Sequence, residues 1–245
     1  MTKTSLPHSH ASENFPPVSA TVSPKSGAGR KLDPDGTRRE ILRVARAEFA
    51  EKGFSGARID EIGARTKTAK RMIYYYFGNK EGLYVAALEQ AYADIRAMET
   101  TLDLEHLAPD VAMCRLIDFT FDYEQSNDDF VRIISSENIN YAQYLKQSPN
   151  LRDLNSNILV SLSRVLERGY AAGVFRRIVE PLDLHLVIIS ICYNRVSNRH
   201  TFSAIFDCDL ASPVVSERHK RMIRNTVLSY LCSDEVHPGV DSVEK

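Results

Sequence analysis

The chain has 245 residues, 43% of them hydrophobic, with 31 Lys and Arg against 32 Asp and Glu and a formal net charge of −1. That length supports a small head and a larger body with ample core, and no apolar run approaches the ~20 residues a membrane helix needs. With no signal-peptide layout at the start, a cytoplasmic protein is expected.

The near-zero charge hides an asymmetry. Residues 30–80 carry thirteen basic and seven acidic side chains, a balance of +6, whereas residues 81–245 carry 16 and 24, a balance of −8. A basic head on an acidic body concentrates the attraction for phosphate at one end of the molecule.

In chain order, residues 1–33 are rich in Ser, Pro, Thr and Gly and lack apolar periodicity, the composition of a disordered arm. The arm is either a solvated tail or a basic extension in which Arg30 and Lys31, with Arg38 and Arg39 beyond it, follow a neighbouring groove. Residues 36–52 read as an amphipathic helix in which Ile41, Ala45 and Phe49 recur every four residues, with Gly53 placed to end it. Residues 57–65 form a short helix with Ile59 and Ile62 on one face.

The stretch 66–69 leaves room only for a sharp turn. A second short helix then runs to Phe77, stopped at Gly78-Asn79 before a longer helix from Lys80. In the second short helix Ile73 and Phe77 can share a core, leaving Lys70, Arg71, Tyr74 and Tyr75 on its other sides. A basic, aromatic outer face on two helical turns suits a groove lined by phosphates and base edges, and the whole is a helix-turn-helix pattern.

Three blocks, Phe49 to Phe54, Ile59 to Gly63, and above all Tyr74-Tyr75-Tyr76-Phe77-Gly78-Asn79-Lys80-Glu81-Gly82-Leu83-Tyr84, resemble the TetR-type transcriptional regulators. Carried over position by position, the resemblance implies that Lys70, Arg71 and Met72 face bases. It further implies that Tyr74, Tyr75 and Tyr76 meet bases or backbone, and that Lys80 and Arg58 hold phosphates. The chain departs from the family at the turn. Lys67 stands where a glycine is usual and Ala69 where a capping serine is usual, so Lys67 and Thr68 join the candidate DNA-contacting residues. An N-cap Ala costs ~1 kcal/mol against Ser or Thr, so Thr68 is expected to cap the second helix and start it one residue early.

Beyond the head, a long helix from Lys80 to about Thr100 should connect reader to body. Residues 102–108 read as a linker, and Pro109 suits the first turn of a helix bearing Leu116, Phe119, Thr120 and Tyr123. Asp128-Asp129 can open another helix, a break is expected near Ser148, and Leu151 to Ala172 restores helical spacing up to Gly173. A helix over about 181–206 shows no wet face in its first half, so it should be buried on several sides, with His185 and His200 as structural histidines. A last helix spans about 213–232, with Met222, Ile223, Val227, Tyr230 and Leu231 to one side. In the family the last two long helices pair with their symmetry mates in a four-helix bundle, which implies a homodimer here. Cys114, Cys192, Cys208 and Cys232 lack paired spacing and are expected as buried thiols.

The expected fold is therefore all-α, with a disordered arm at 1–33, a helix-turn-helix DNA-binding head at 34–80, a helical ligand-binding and dimerisation body at 81–233, and a flexible tail at 234–245. The expected function is a ligand-responsive, sequence-specific regulator, a repressor released from a pseudo-palindromic operator by a small metabolite, without a cofactor. No phosphate loop, nucleophile elbow or metal-ligand spacing points to an enzyme. A ligand-independent DNA-packing protein remains the alternative. The ligand is expected to be anionic and aromatic or heterocyclic, met by Arg195, with Cys192 on the same stripe and Tyr123, Tyr141 or Tyr193 against its ring. The competing account gives Arg195 an internal partner, Asp118, Asp122 or Glu124, or leaves it at the subunit interface.

Overall fold

The proline and glycine punctuation of the sequence becomes the element boundaries of the computed structural model, which describes residues 33–234. Among these residues every regular element is helical: α1 (Pro34–Gly56), α2 (Ile59–Thr66), α3 (Lys70–Phe77), α4 (Lys80–Glu99), α5 (Pro109–Ser126), α6 (Asp128–Ile139), α7 (Leu151–Ala171), α8 (Pro181–Ser197), α9 (Arg199–Phe206) and α10 (Pro213–Cys232). Pro109, Pro181 and Pro213 each open a helix, where the missing N–H costs nothing. Gly53 interrupts α1 at φ 67, a left-handed backbone that a side chain would resist. The readings of the arm and the tail, Arg30 and Lys31 included, lie outside the described residues apart from Asp33 and Asp234.

The head core is built from the apolar faces anticipated above. Ile41, Ala45 and Phe49 of α1 meet Ile59 and Ile62 of α2 and Ile73 and Phe77 of α3, all buried. It does not end at Lys80, because Leu83, Tyr84 and Leu88 of α4, Ile133 of α6 and Tyr144 belong to the same cluster. Phe49 packs edge-on to Tyr84 at 4.8 Å, and Tyr144 lies 5.1 Å from Tyr84. Burying each such side chain contributes roughly 1.5–3 kcal/mol, so the head is anchored to the body as firmly as its own helices are to each other. Polar ties reinforce this junction. Arg46 of α1 pairs with Asp94 of α4 at 2.8 Å and Asp129 of α6 at 2.6 Å, and Arg132 of α6 donates to the Ala50 carbonyl at 3.0 Å.

The body core joins Met113, Leu116, Ile117 and Phe121 of α5 to α7, α8 and α10 through Leu162, Val165, Ile188, Ile223 and Leu231. The loop after α7 closes over the end of α10, with the Arg176 and Arg177 amides donating to the Leu231 carbonyl at 2.8 and 3.1 Å.

Five expectations need correction. The run 181–206 is two helices, broken at Asn198, whose backbone (φ −105, ψ 7) leaves helical geometry. Helix α8 has one buried face, Leu184, Ile188, Cys192 and Val196, while Leu182, Leu186, Val187 and Ile191 are exposed in the single chain. On α10 the buried stripe is Ile223, Val227 and Leu231, and Met222 and Tyr230 lie outside it. His200 is exposed on α9, and of the cysteines only Cys192 is fully buried while Cys232 is exposed.

Candidate nucleic-acid interface and body cavity

The helix-turn-helix is organised around a buried carboxylate. Glu48, 1% exposed, receives Lys52 at 2.9 Å and Arg65 at 3.4 Å, and accepts from the Arg58 amide at 3.4 Å, so α1 fixes both the start and the end of α2. The turn into α3 passes through Lys67 in the left-handed region (φ 52, ψ 33). The Thr68 amide donates to the Gly63 carbonyl at 2.9 Å and the Lys67 amide to the Ala64 carbonyl at 3.3 Å, which closes a Schellman-type end on α2. Gly63 makes this possible: a Cβ there would stand 2.8 Å from the Thr68 carbonyl oxygen.

Thr68 does not cap α3. Its hydroxyl donates backwards to the Thr66 carbonyl at 3.2 Å, the extended Ala69 is the N-cap, and the helix starts at Lys70 without a side-chain cap. The left-handed turn at Lys67 aims the threonine away from the amides it would have to satisfy.

From α3, Ile73 and Phe77 point inward and Lys70, Arg71, Tyr74 and Tyr75 outward, Tyr75 being 78% exposed. Lys70 is paired with Asp60 at 2.9 Å, which raises its pKa through the hydrogen bond. Such a surface pair is worth little and leaves the ammonium free to exchange partners. Met72 and Tyr76 are half-buried, and the Tyr76 ring stands edge-on to Tyr75 at 5.5 Å. Arg58 and Lys67 are exposed beside this face. Lys80, half-buried, donates to the Ser55 carbonyl at 3.3 Å and lies 4.9 Å from the Phe54 ring centroid; burial lowers its pKa.

A second feature lies in the body. A cavity of about 950 Å³ opens between α4, α5, α6, α7 and α8, with aromatic surface from Tyr92, Phe130 and Tyr193 and aliphatic surface from Ile95, Ile134 and Ile189. Three ionisable groups on its wall, Glu99, Glu124 and His185, are strongly perturbed. Arg96 pairs with Glu99 at 2.6 Å, and burial pushes the Glu99 carboxyl up to about 7 against the pull of Arg96. Burial alone pushes Glu124 up to about 8, and burial followed by the nearby Arg96 charge lowers His185 to about 4.

Of the five residues expected at the ligand, only Tyr193 lines this cavity, its hydroxyl 2.6 Å from Ser135 Oγ. Tyr123 is buried against Phe130 and Phe119 rather than on the wall, and Cys192 sits on the buried face of α8. Tyr141 is 85% exposed on a left-handed turn (φ 57) and away from the wall. Arg195 donates to Gln125 Oε1 and Ser216 Oγ, both at 2.6 Å, and to the Leu210 carbonyl, with its guanidinium 4.4 Å from the Phe121 centroid. It has internal partners, but none of the three acids proposed for it. The stripe Ile188, Cys192, Arg195 turns toward α5 and α10, whereas the cavity is faced by His185, Ile189 and Tyr193, one position round the helix.

The residues that sequence reasoning missed are Arg96, Glu99 and Glu124 as wall groups. A signal for the last was present: Leu116, Thr120 and Glu124 recur every four residues, which puts an acid on a buried stripe.

Two family models match the chain, one over the head and one over the body. The family described as "Bacterial regulatory proteins, tetR family" matches residues 41–87, and "Tetracyclin repressor-like, C-terminal domain" matches residues 109–227. The HTH-type transcriptional repressor NicS of Pseudomonas putida is 38% identical over 182 residues, 74% of this chain and 86% of its own length. The HTH-type transcriptional repressor SCO4008 of Streptomyces coelicolor is 34% identical over 159 residues, 65% of this chain and 78% of its own. Among solved structures, the transcriptional regulator SCO4942 of Streptomyces coelicolor superposes with a TM-score of 0.58 at 22% identity, covering 78% of this chain and 96% of that one.

Proposed function

The chain belongs to the TetR family of bacterial transcriptional regulators, and we propose that it is a repressor whose two heads grip a pseudo-palindromic operator until a small molecule enters the body cavity. The observation that carries the DNA half is the outer face of α3. Lys70, Arg71, Tyr74 and Tyr75 project from a helix held from behind by Ile73 and Phe77. Arg71 and Lys70 are the base-edge readers, with Met72 beside them. Lys80, aligned by the Ser55 carbonyl, keeps N–H groups for phosphate, and Arg58, Lys67, Thr68 and Tyr76 flank the backbone path. Repression rather than activation is supported by the two relatives above, both named as repressors. The protein acts in the cytoplasm, where an operator is accessible.

One recognition helix reads only a few base pairs, so two are needed for a specific site. A surface for pairing is available on α8 and α10, where Leu182, Leu186, Met222 and Tyr230 expose 60%, 57%, 57% and 47% of their area. Coupling from cavity to head runs through two helices. Helix α4 carries Leu83 and Tyr84 in the head core and Tyr92, Ile95 and Arg96 on the cavity wall. Helix α6 carries Phe130, Ile134 and Asn138 on the wall and Asp129 and Arg132 against α1. A ligand that favours one arrangement of α4 and α6 therefore resets the head spacing, and ligand and operator weaken each other by the same factor.

Tyr92, Phe130 and Tyr193 support an aromatic ligand; an anion would find Arg96 already paired with Glu99. Selection of bound DNA from a random pool should recover a two-fold site with half-site centres ~34–36 Å apart or slightly more. Arg71→Ala should cost that site ~1–3 kcal/mol and relax its preference, whereas Lys80→Ala should weaken all sequences alike and flatten the salt dependence. Recovery of no preferred sequence would favour a DNA-packing role.

A further inference from the structure

Glu124 is 4% exposed, lines the cavity and has no hydrogen-bond partner for its Oε2, and no ion pair within reach. A buried carboxylate is nearly always paired, because an isolated one costs several kcal/mol. Its neighbours do not supply the lack. Thr120, one turn before it on α5, donates its hydroxyl to the Leu116 carbonyl, and Arg195, one turn beyond Cys192 on α8, is held by Gln125 and Ser216. Arg96 on α4 gives its Nη1 to Glu99, at 2.6 Å, and its buried Nε is left without a partner.

We propose that the cavity takes an aromatic ligand carrying a protonated amine, and that the ammonium is held by the Glu124 carboxylate while the ring lies against Tyr92, Phe130 and Tyr193. The proposal rests on the cavity being the effector site and replaces the anionic ligand class. Charge complementarity favours it. With Arg96 held against Glu99 and His185 kept neutral by burial, Glu124 is, among the described residues of the wall, the acid without a counter-charge, and Lys146 and Arg152 on the lining are solvent-exposed. Cys192, packed behind, is held as the thiol chiefly by burial.

The binding step has a proton balance. Empty, Glu124 is largely the neutral acid at pH 7, since burial pushes it up to about 8. An ammonium beside it favours the carboxylate, so the acid gives its proton to the buffer while the amine keeps its own. Binding therefore releases about one proton per chain at pH 7, and less as the pH rises above 8.

The test is calorimetric titration of the full chain at pH 7, in two buffers of different ionisation heat, with tryptamine, its neutral analogue tryptophol, and indole-3-acetate. Tryptamine should bind most tightly, release close to one proton, and lose at least about thirtyfold in affinity in Glu124→Gln, as expected for removing one partner of a buried charge pair. Tryptophol should bind both chains alike. Tighter binding of indole-3-acetate, equal tryptamine affinity in the two chains, absence of proton release from the unsubstituted chain, or no tryptamine binding at millimolar concentration would each overturn the assignment. The proton count is made on the unsubstituted protein and so does not depend on the variant folding. Operator binding is measured in parallel. Tryptamine that binds through Glu124 without releasing DNA would defeat the ligand-released mechanism and leave the amine site standing.

Discussion

A single buried acid gives the body a pH signature. Glu124 holds a proton up to about pH 8 in the folded chain, but its unfolded counterpart releases it near 4.5. Between those values the folded state binds more protons, so raising the pH favours unfolding, and the stabilisation present below pH 4.5 is lost as pH passes 8. Glu99 acts in the same direction up to about 7, whereas His185, lowered to about 4 from 6.5, acts oppositely and only below 6.5. In the window from pH 7 to 8 Glu124 dominates. Urea unfolding of the ligand-free protein should show stability falling there by up to ~1.4 kcal/mol per pH unit, the limit for one proton. Glu124→Gln should flatten the slope; an equal slope in both chains would mean the proton sits elsewhere.

Among elements, the turn between α2 and α3 departs from local preference. Lys67 occupies a left-handed conformation that costs a side-chain-bearing residue roughly 1 kcal/mol, and Gly63 beside it cannot accept a Cβ because the Thr68 carbonyl oxygen is 2.8 Å away. The two positions should respond oppositely to substitution. Lys67→Gly should stabilise the protein slightly, by up to ~0.5 kcal/mol after the entropy of the added glycine is set against the relieved strain. Gly63→Ala should destabilise by more than that, since backbone must move. Denaturation midpoints of the two variants decide this, and loss of operator affinity in Lys67→Gly without loss of stability would mark the lysine as retained for DNA. The unfamiliar residue was visible in the sequence; its left-handed backbone and the failure of Thr68 to cap were not, because both depend on hydrogen bonds that close only when α2 and α3 meet.

For the whole molecule, the governing question is what covers α8 and α10. Met222 and Leu182 lie outside the cavity lining and expose 57% and 60% of their area. Both sit on helices whose other faces are already buried in the body core. A charge at either position should leave the single chain folded while opposing association. Met222→Glu with Leu182→Glu should sediment as a monomer at concentrations where the unsubstituted chain is a dimer. It should also bind a half-site as well as a full operator. A dimer that survives both substitutions would place the pairing surface elsewhere.

Apart from the break between α8 and α9, the helix order, the head and its inward-facing Ile73 and Phe77 were legible in the sequence because they follow from short-range rules: the four-residue recurrence of apolar side chains, proline at helix starts, and glycine where φ turns positive. The family blocks at 49–54, 59–63 and 74–84 likewise pointed to the regulator class without coordinates. The candidate ligand site was another matter. Arg195 and the cavity lie on adjacent faces of α8, so a rotation of one residue separates an internal anchor held by Gln125 and Ser216 from a wall position. Which face meets a void and which meets α10 depends on how five helices pack. Tertiary structure alone decided it, and with it decided that Glu124, a buried acid without an ion pair, lines the void while Arg195 is held behind it.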